Sequence, residues 1–216
     1  MLRYELKFAC PEIELPQIRS WFRLHPAGFK TAYAPRYVNN LYFDTADLDS
    51  FNANVAGIGQ RAKLRLRWYG QPPFSALPQP VLELKYKQDM LGGKVQEQLA
   101  TTVDLTVGWR GLYAVLRANT AVGQLQQALR VASQPTLLNQ YRRDYLLSAD
   151  GHIRATLDYD LRGYDQRLRP RLNHTRPLLG TPHMVIELKA SEADAAELVQ
   201  IADALPVRRS RNSKYV

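Results

Sequence analysis

Residues 60–68 read QRAKLRLRW, and this stretch decides the fold. Cationic and apolar side chains alternate along it, at Arg61, Lys63, Arg65 and Arg67 and at Ala62, Leu64, Leu66 and Trp68. Strict alternation predicts a β-strand, because successive side chains of a strand point to opposite faces of the sheet. One face of this strand is therefore cationic, and the other is apolar and needs cover.

Further segments alternate in a similar way and predict more strands. They are RYELKF (3–8), YVNNLYFDT (37–45), VLELKYK (81–87), KVQEQLA (94–100), NQYRRDYLL (139–147), HIRATLDYDL (152–161) and MVIELKA (184–190). Gly92 and Gly93 predict a turn before residue 94, and residues 149–151 predict a hairpin turn between 139–147 and 152–161. The charged faces are mostly cationic, so one pattern recurs along the whole chain.

Helical patterns fill the intervals between these strands. We predict helices over residues 11–24, 45–54, 108–132 with a break near Asn119, and 191–205. Pro11, Thr45 and Ser191 are the expected start signals of three of them. Residues 162–182 contain five arginines and three prolines and predict one long basic loop.

The composition limits the class of protein and its partner. The 216 residues are 45% hydrophobic and show no repeat or linker, so we expect a single domain over residues 1–216. A net charge of +9, with 21 arginines among 29 basic residues, indicates a polyanionic partner. No segment is apolar enough to span a membrane or to act as a signal peptide, and the lone Cys10 excludes an internal disulfide. We therefore expect a cytoplasmic location.

The cationic faces raise the question of what they contact. Cations two residues apart on a strand lie about 6.8 Å from each other, and their repulsion rises from about 0.6 kcal/mol in water to about 2.4 kcal/mol at an effective dielectric of about 20. An open sheet facing water tolerates this cost, whereas a closed barrel requires anions inside it. The predicted helices can cover the apolar faces, so the pattern favours a barrel with helices outside and a polyanion inside. Taken singly, each segment also fits an ordinary half-buried strand.

Carboxylates are interleaved with the cations on the predicted charged faces, at Glu5, Glu83, Asp158, Asp160 and Glu187. The residues alone leave two interpretations open. The carboxylates pair with neighbouring arginine or lysine, or one or two of them hold Mg²⁺ or Mn²⁺ together with phosphate oxygens. The motifs of other chemistries, GxxxxGK[ST], HExxH and GxSxG, do not occur, and Cys10 fits a core thiol better than a nucleophile.

Seven short segments together carry a family resemblance that runs almost from end to end. They are YELKF, LYFDTADLDSF, KLRLRWYG, VLELKYK, YRRDY with IRATLDYDL, VIELK and SKY. In this order they resemble the VTC domain, the polyphosphate polymerase branch of the CYTH-like triphosphate tunnel metalloenzymes. The resemblance implies an α+β fold, an antiparallel eight-stranded β-barrel tunnel with helices packed outside. It also implies transfer of the γ-phosphate of ATP to a growing inorganic polyphosphate chain, with Mn²⁺ or Mg²⁺ as cofactor and no role for DNA.

The resemblance also implies roles for individual residues. The catalytic set is Lys7, Arg65, Arg67, Lys85, Arg143, Arg154 and Lys214; the substrate-binding set is Lys63, Lys87, Lys94 and Lys189; the metal ligands are Glu187 and Glu5. Whether Lys94 or Gln96 occupies the family's lysine position stays open. The CYTH branch opens with two glutamates and a lysine at alternating positions, whereas this chain has Arg3, Glu5 and Lys7, which favours the polymerase over the triphosphatase.

Two other functions stay open at this point. A hydrolase of triphosphate or polyphosphate would use the same tunnel, and a non-catalytic module would only bind polyphosphate or RNA. Proteins that bind RNA add exposed aromatic side chains for base stacking. The aromatic residues of the alternating strands, Tyr4, Trp68, Tyr86 and Tyr159, fall on the apolar faces, which argues against RNA. The oligomeric state is not predicted.

Overall fold

The computed structural model describes residues 3–88, 91–210 and 213–215. The strands are β1 (Arg3–Pro11), β2 (Lys30–Asp44), β3 (Arg61–Tyr69), β4 (Val81–Gln88), β5 (Leu91–Gln98), β6 (Gln134–Leu147), β7 (Arg154–Asp165) and β8 (His183–Ser191). The helices are α1 (Leu15–Leu24), α2 (Asp49–Val55), α3 (Gly108–Asn119), α4 (Gly123–Val131) and α5 (Ala195–Ala204), with a 3₁₀ turn at Glu12–Glu14. The strands follow the sheet order β1-β8-β7-β6-β2-β3-β4-β5. The predicted fold class, an antiparallel eight-stranded sheet with helices on it, is confirmed.

The chain divides into two compact units. The first unit comprises Met1–Tyr37, Tyr141–Leu161 and Leu179–Ser213, and the second comprises Val38–Gln140, Arg162–Leu178 and Lys214–Val216. Each unit has its own hydrophobic core, so each is described separately.

In the second unit, β3 and its neighbours bury the apolar face that the sequence predicted. Leu64, Leu66 and Trp68 are buried, whereas the basic residues between them are partly exposed. The core continues into β4, α3 and α4 through Leu82, Leu112, Leu116, Leu125 and Leu129, which are fully buried. Burial of each leucine contributes about 1.5–3 kcal/mol. The helices therefore cover the apolar face and leave the charged face of the strands uncovered by this core.

In the first unit, β1, β7 and β8 pair antiparallel and share one apolar face. Leu6 and Phe8 of β1 lie opposite Leu188 and Ile186 of β8, and Leu157 of β7 continues the row. Helices α1 and α5 cover this face with Ile18, Phe22, Leu198 and Ile201, all buried. The same rule applies as in the second unit, because the pleat places alternate residues on opposite faces.

Several predicted boundaries differ from the structure. Helix α1 begins at Leu15 with Pro16 in its first turn, not at Pro11, which ends β1. Helix α2 begins at Asp49, because the buried carboxylate of Asp44 accepts hydrogen bonds from the backbone N–H groups of Ser50 and Phe51. Ser191, the predicted start signal of the last helix, is instead the last residue of β8, and helix α5 begins later, at Ala195.

The predicted turn at Gly92 and Gly93 is wrong, because both glycines lie in β5. Gly93 pairs with Tyr86 of β4, and a Cβ at this position would lie 2.2 Å from the tyrosine ring. The ring therefore packs directly on the glycine. Strand β7 also continues to Asp165, so the long basic loop begins at residue 166 rather than at 162.

No helix in the described ranges is long and apolar enough to cross a membrane. Of the four aromatic residues predicted on apolar faces, Trp68 and Tyr159 are buried, whereas Tyr4 and Tyr86 are 46% and 39% exposed.

Candidate functional site

The charged face of β3, β4 and β5 in the second unit is strongly cationic. The antiparallel register places Lys63 opposite Lys85, and Lys85 opposite Lys94, so that three lysines form one row across three strands. Arg61 and Lys87 are opposite each other in the adjacent row. Like charges directly opposite each other destabilise a sheet, and an anion bound over the row would offset this repulsion.

Arg65 and Arg67 share one buried carboxylate on the same face. The Nε of Arg65 donates to Oε2 of Glu83 at 2.7 Å, and Nη1 of Arg67 lies 3.6 Å from Oε1. Burial works to raise the pKa of Glu83, but attraction by Arg65 and Arg67 outweighs it and holds the pKa below its usual range. Glu83 is therefore ionised and orients both guanidinium groups.

Polar residues of β2 complete the support of these arginines. Nη1 of Arg65 donates to the hydroxyl of Tyr42 at 3.3 Å, and Nε of Arg67 donates to the amide oxygen of Asn40 at 2.8 Å. The Asn40 amide in turn donates to Oδ1 of Asn139 on β6. The two guanidinium groups are thus held by neutral partners as well as by Glu83, so that two cations share one carboxylate.

The SKY segment lies against the same part of the second unit. The amide of Asn139 donates to the backbone oxygen of Lys214 at 2.8 Å. The ring of Tyr215 stacks on Tyr42 with centroids 4.8 Å apart, and its hydroxyl donates to Oδ2 of Asp44. Burial and the Asp44 carboxylate raise the pKa of Tyr215. The buried tyrosine thereby fixes the position of the lysine that precedes it.

The first unit presents a different charged face, in which carboxylates and lysines are mixed. The ammonium group of Lys7 lies 2.9 Å from Glu5 and 3.5 Å from Glu187, and that of Lys189 lies 2.8 Å from Glu187 and 3.7 Å from Glu5. Burial works to raise the pKa of Glu5, but attraction by Lys189 and Lys7 prevails and lowers it. Both lysines and both glutamates therefore form one ion-pair cluster.

Arg143 and Asp158 form a buried ion pair beside this cluster. Nε and Nη2 of Arg143 donate to the two carboxylate oxygens of Asp158 at 2.5 and 2.6 Å, and Nη2 lies 3.9 Å from Glu187. Burial works to lower the pKa of Arg143, but Tyr141, Asp158 and Glu187 raise it well above its usual range. Arg143 is therefore a fixed cation.

Arg154 occupies the start of β7, opposite Lys189 and exposed to solvent. Among residues 3–88, 91–210 and 213–215 no carboxylate lies within ion-pair distance of it. Among Lys7, Arg143, Arg154 and Lys189, Arg154 is the one whose side chain is exposed, so it is open to an added anion.

The charge balance separates the two units. On the described face of β3, β4 and β5, seven cationic side chains accompany the single carboxylate of Glu83; they are Arg61, Lys63, Arg65, Arg67, Lys85, Lys87 and Lys94. Among the side chains that the structure describes on the first unit's face, the three carboxylates of Glu5, Asp158 and Glu187 accompany four cations, which are Lys7, Arg143, Arg154 and Lys189. The face in the second unit therefore attracts anions more strongly.

The resemblance implies a divalent metal, and the first unit offers suitable oxygen donors for one. Glu5 and Glu187 both lie within ion-pair distance of the Lys7 ammonium group, so the two carboxylates are close enough to share a cation. The hydroxyl of Thr156, opposite Glu187 on β7, is buried and has no hydrogen-bond partner within the described part of the chain. Carboxylate and hydroxyl oxygens suit Mg²⁺ and Mn²⁺, so these residues fit the metal. No group of three or more His, Cys, Asp or Glu residues suited to a metal occurs in the described ranges.

The structure thus brings most of the predicted site residues into two groups. Lys63, Lys85, Lys87 and Lys94 join Arg65 and Arg67 in the second unit, and Gln96 lies opposite Glu83 one row from Lys94. The sequence did not identify Asn40, Tyr42 and Asn139, because short polar side chains on a strand have no distinctive pattern. It also passed over Tyr215, although the SKY segment contains it.

Burial raises the pKa of Cys10 to about 11, in keeping with a core thiol rather than a nucleophile.

The fold and these charged faces define the class of protein, the CYTH-like triphosphate tunnel fold. The chain belongs to the VTC domain family, whose sequence pattern matches residues 2–216. HpAC1 from Hippeastrum, assigned as an adenylyl cyclase and described as having a dominant triphosphatase activity, has a similar structure (TM-score 0.56, 16% identity, 99% of this chain and 93% of that chain covered). PH1819 from Pyrococcus horikoshii is also similar (TM-score 0.51, 13% identity, 99% and 96% covered). No curated protein is similar to this chain at the sequence level.

Proposed function

We propose that this chain is a polyphosphate polymerase, which transfers the γ-phosphate of ATP to a growing inorganic polyphosphate chain. The observation that carries the proposal is the face of β3, β4 and β5, where seven cations accompany one carboxylate and two arginines are oriented by Glu83. Membership of the VTC domain family supports it. The proposal treats residues 1–216 as one domain, because the family match includes both units.

Phosphoryl transfer requires positioning and compensation of charge more than it requires a catalytic base. Arg65 and Arg67 would bind neighbouring phosphate groups, because guanidinium groups stay protonated and donate two parallel hydrogen bonds to an oxyanion. Lys63, Lys85, Lys87 and Lys94 would bind the rest of the chain, as mobile ammonium groups suit a repeating polymer.

The first unit and the SKY segment would supply the remaining contacts. Lys7, Arg143, Arg154 and Lys189 would bind phosphate oxygens, and Lys214, held by its neighbour Tyr215, would do the same. Glu5 and Glu187 would hold Mn²⁺ or Mg²⁺, which when bound offsets charge on the leaving phosphate. Lys7 and Lys189 have flexible stems, so they can turn from the carboxylates to an incoming phosphate.

The test of the polymerase is direct. Purified protein incubated with ATP and Mn²⁺ should convert the γ-phosphate into long-chain polyphosphate, seen by gel staining, with ADP formed in equal amount to the phosphate incorporated. Two further incubations serve as comparisons, one with Mg²⁺ in place of Mn²⁺ and one with a chelator added. Formation of no polymer under conditions in which another VTC domain makes it would refute the proposal.

A hydrolase is the second candidate, because the similar Hippeastrum protein is described as a triphosphatase. It would release inorganic phosphate from tripolyphosphate or ATP without chain growth. The same assay separates the two functions, since the polymerase incorporates the γ-phosphate into a polymer, whereas the hydrolase releases it as inorganic orthophosphate. Binding of polyphosphate with neither product would indicate the non-catalytic module, and preference for RNA over polyphosphate would indicate an RNA-binding protein.

The proposed metal ligands make a separate prediction. We expect Glu5→Gln and Glu187→Gln each to weaken Mn²⁺ binding at least about tenfold, the loss that even an indirect partner of a metal ligand produces. The exposed Glu192→Gln is the control. Titration of Mn²⁺ followed by electron paramagnetic resonance measures binding without turnover. Equal Mn²⁺ affinity in all four proteins would remove Glu5 and Glu187 from the metal site.

A further inference from the structure

The basic loop between β7 and β8 forms a pocket that the proposed catalytic residues do not use. The pocket measures about 350 Å³ and is lined by Arg169, Pro170, Arg171, Leu172, Asn173, Thr175 and Arg176. None of these residues belongs to β3, β4 or β5. It is therefore separate in sequence and in lining from the cationic face of the sheet.

The loop is ordered by side-chain hydrogen bonds although it lacks regular secondary structure. Gln166 is fully buried, and its side chain bonds to the backbone N–H and oxygen of Asn173. The Asn173 amide donates to the backbone oxygens of Asp165 and Arg176 and accepts from the N–H of Arg176. The indole of Trp109 on α3 donates to the backbone oxygen of Arg169. The pocket is thus built before any ligand arrives, which lowers the entropic cost of binding.

The three arginines of the pocket are exposed and lack acidic partners. Within residues 3–88, 91–210 and 213–215 no carboxylate lies within ion-pair distance of Arg169, Arg171 or Arg176. Arg167 differs, because its guanidinium is paired with both oxygens of Asp165. Three uncompensated guanidinium groups around one pocket indicate a ligand with several phosphate groups.

We propose that this pocket is a second binding site for inorganic polyphosphate, which holds a stretch of chain away from the sheet face. The inference rests on the proposed function. The lining contains arginine, threonine and asparagine but no aromatic ring, so it offers oxyanion contacts without a platform for a nucleobase. A ligand made only of phosphate matches this lining, and a long chain can occupy both sites at once, which raises its apparent affinity.

The test compares long and short ligands on three proteins. R169Q/R171Q/R176Q removes the pocket's charge, and R23Q/R130Q/R208Q removes the same charge from exposed positions elsewhere. Calorimetric titration with long-chain polyphosphate should show at least about tenfold weaker binding for the pocket variant, because a second simultaneous contact adds that much or more. Tripolyphosphate, which is too short to use both sites, should bind all three proteins with similar affinity.

Each outcome decides one question. Equal binding of long-chain polyphosphate by the parent and the pocket variant would overturn the second site. Equal weakening in both triple variants would also overturn it, because the effect would then be general electrostatics. RNA is also tested as a competitor at matched phosphate concentration. If RNA displaced long-chain polyphosphate from the parent and thereby removed the difference in binding between the parent and the pocket variant, nucleic acid would replace polyphosphate as the ligand. Absence of tripolyphosphate binding by all three proteins would count against the proposed function, whatever the pocket variant does with the long chain.

Discussion

Replacement of Arg65 and Arg67 by glutamine should lower polyphosphate synthesis at least about 100-fold, the loss caused by removing one preorganised donor to a transition-state oxyanion. Both guanidinium groups are oriented by Glu83 on the described face of β3, β4 and β5, where seven cations accompany one carboxylate. Glutamine retains hydrogen-bonding capacity but has no charge, so the loss reports on electrostatic stabilisation. The rate of ATP-dependent polymer formation at saturating Mn²⁺ is the measurement.

This substitution also leaves the Glu83 carboxylate buried without its cations. Breaking a buried ion pair in this way lowers the free energy of unfolding by about 3–5 kcal/mol. R65Q/R67Q/E83Q is therefore the control, because it removes the uncompensated charge. We expect this variant to recover most of the free energy of unfolding and none of the activity. Full activity in R65Q/R67Q would mean that these arginines do not contact the reacting phosphates.

The second large effect concerns stability in the first unit. Asp158→Asn should lower the free energy of unfolding by about 3–5 kcal/mol, because it removes one partner of a buried charge pair. Asp158 is fully buried, and Arg143 donates to both of its oxygens. Chemical denaturation of the purified protein without ligand measures the loss.

A more exposed pair at the end of β7 provides the control. Asp165, the last residue of that strand, accepts hydrogen bonds from Nε and Nη2 of Arg167, whose side chain is 52% exposed, so Asp165→Asn should cost at most about 1 kcal/mol. The double replacement R143M/D158L should be less destabilised than Asp158→Asn, since apolar residues of similar size can replace a buried ion pair. A loss for Asp158→Asn no larger than that for Asp165→Asn would contradict the prediction.

Much of the fold followed from local patterns. The alternation in 60–68 predicted β3, and the same reasoning predicted the other strands and which of their faces is apolar. Helix starts were less predictable. Asp44 caps α2 from the end of the preceding strand, and the ring of Tyr86 turns Gly93 into a strand residue. In both cases a side chain outside the predicted segment outweighs the signal within it.

The candidate site was likewise predictable from the sequence only in part. The sequence indicated which cations share a face, because the pleat acts residue by residue. It left open whether the interleaved carboxylates pair with cations, and the structure shows that Glu83, Asp158 and Glu187 all do. The family resemblance also placed Lys7 of β1 and the arginines of β3 in one catalytic set, without indicating that carboxylates accompany the cations of one face much more than those of the other.

The sequence by itself determined that the protein has strands with one charged and one apolar face, and that it belongs to the VTC domain family. Only the tertiary structure decided which charges meet. Lys63, Lys85 and Lys94 form one row, and Arg65 and Arg67 share Glu83, because antiparallel register aligns residues far apart in the chain. Register depends on how the hydrophobic patterns of two paired strands match and on the turn that joins them, so the pattern of one strand by itself does not encode it.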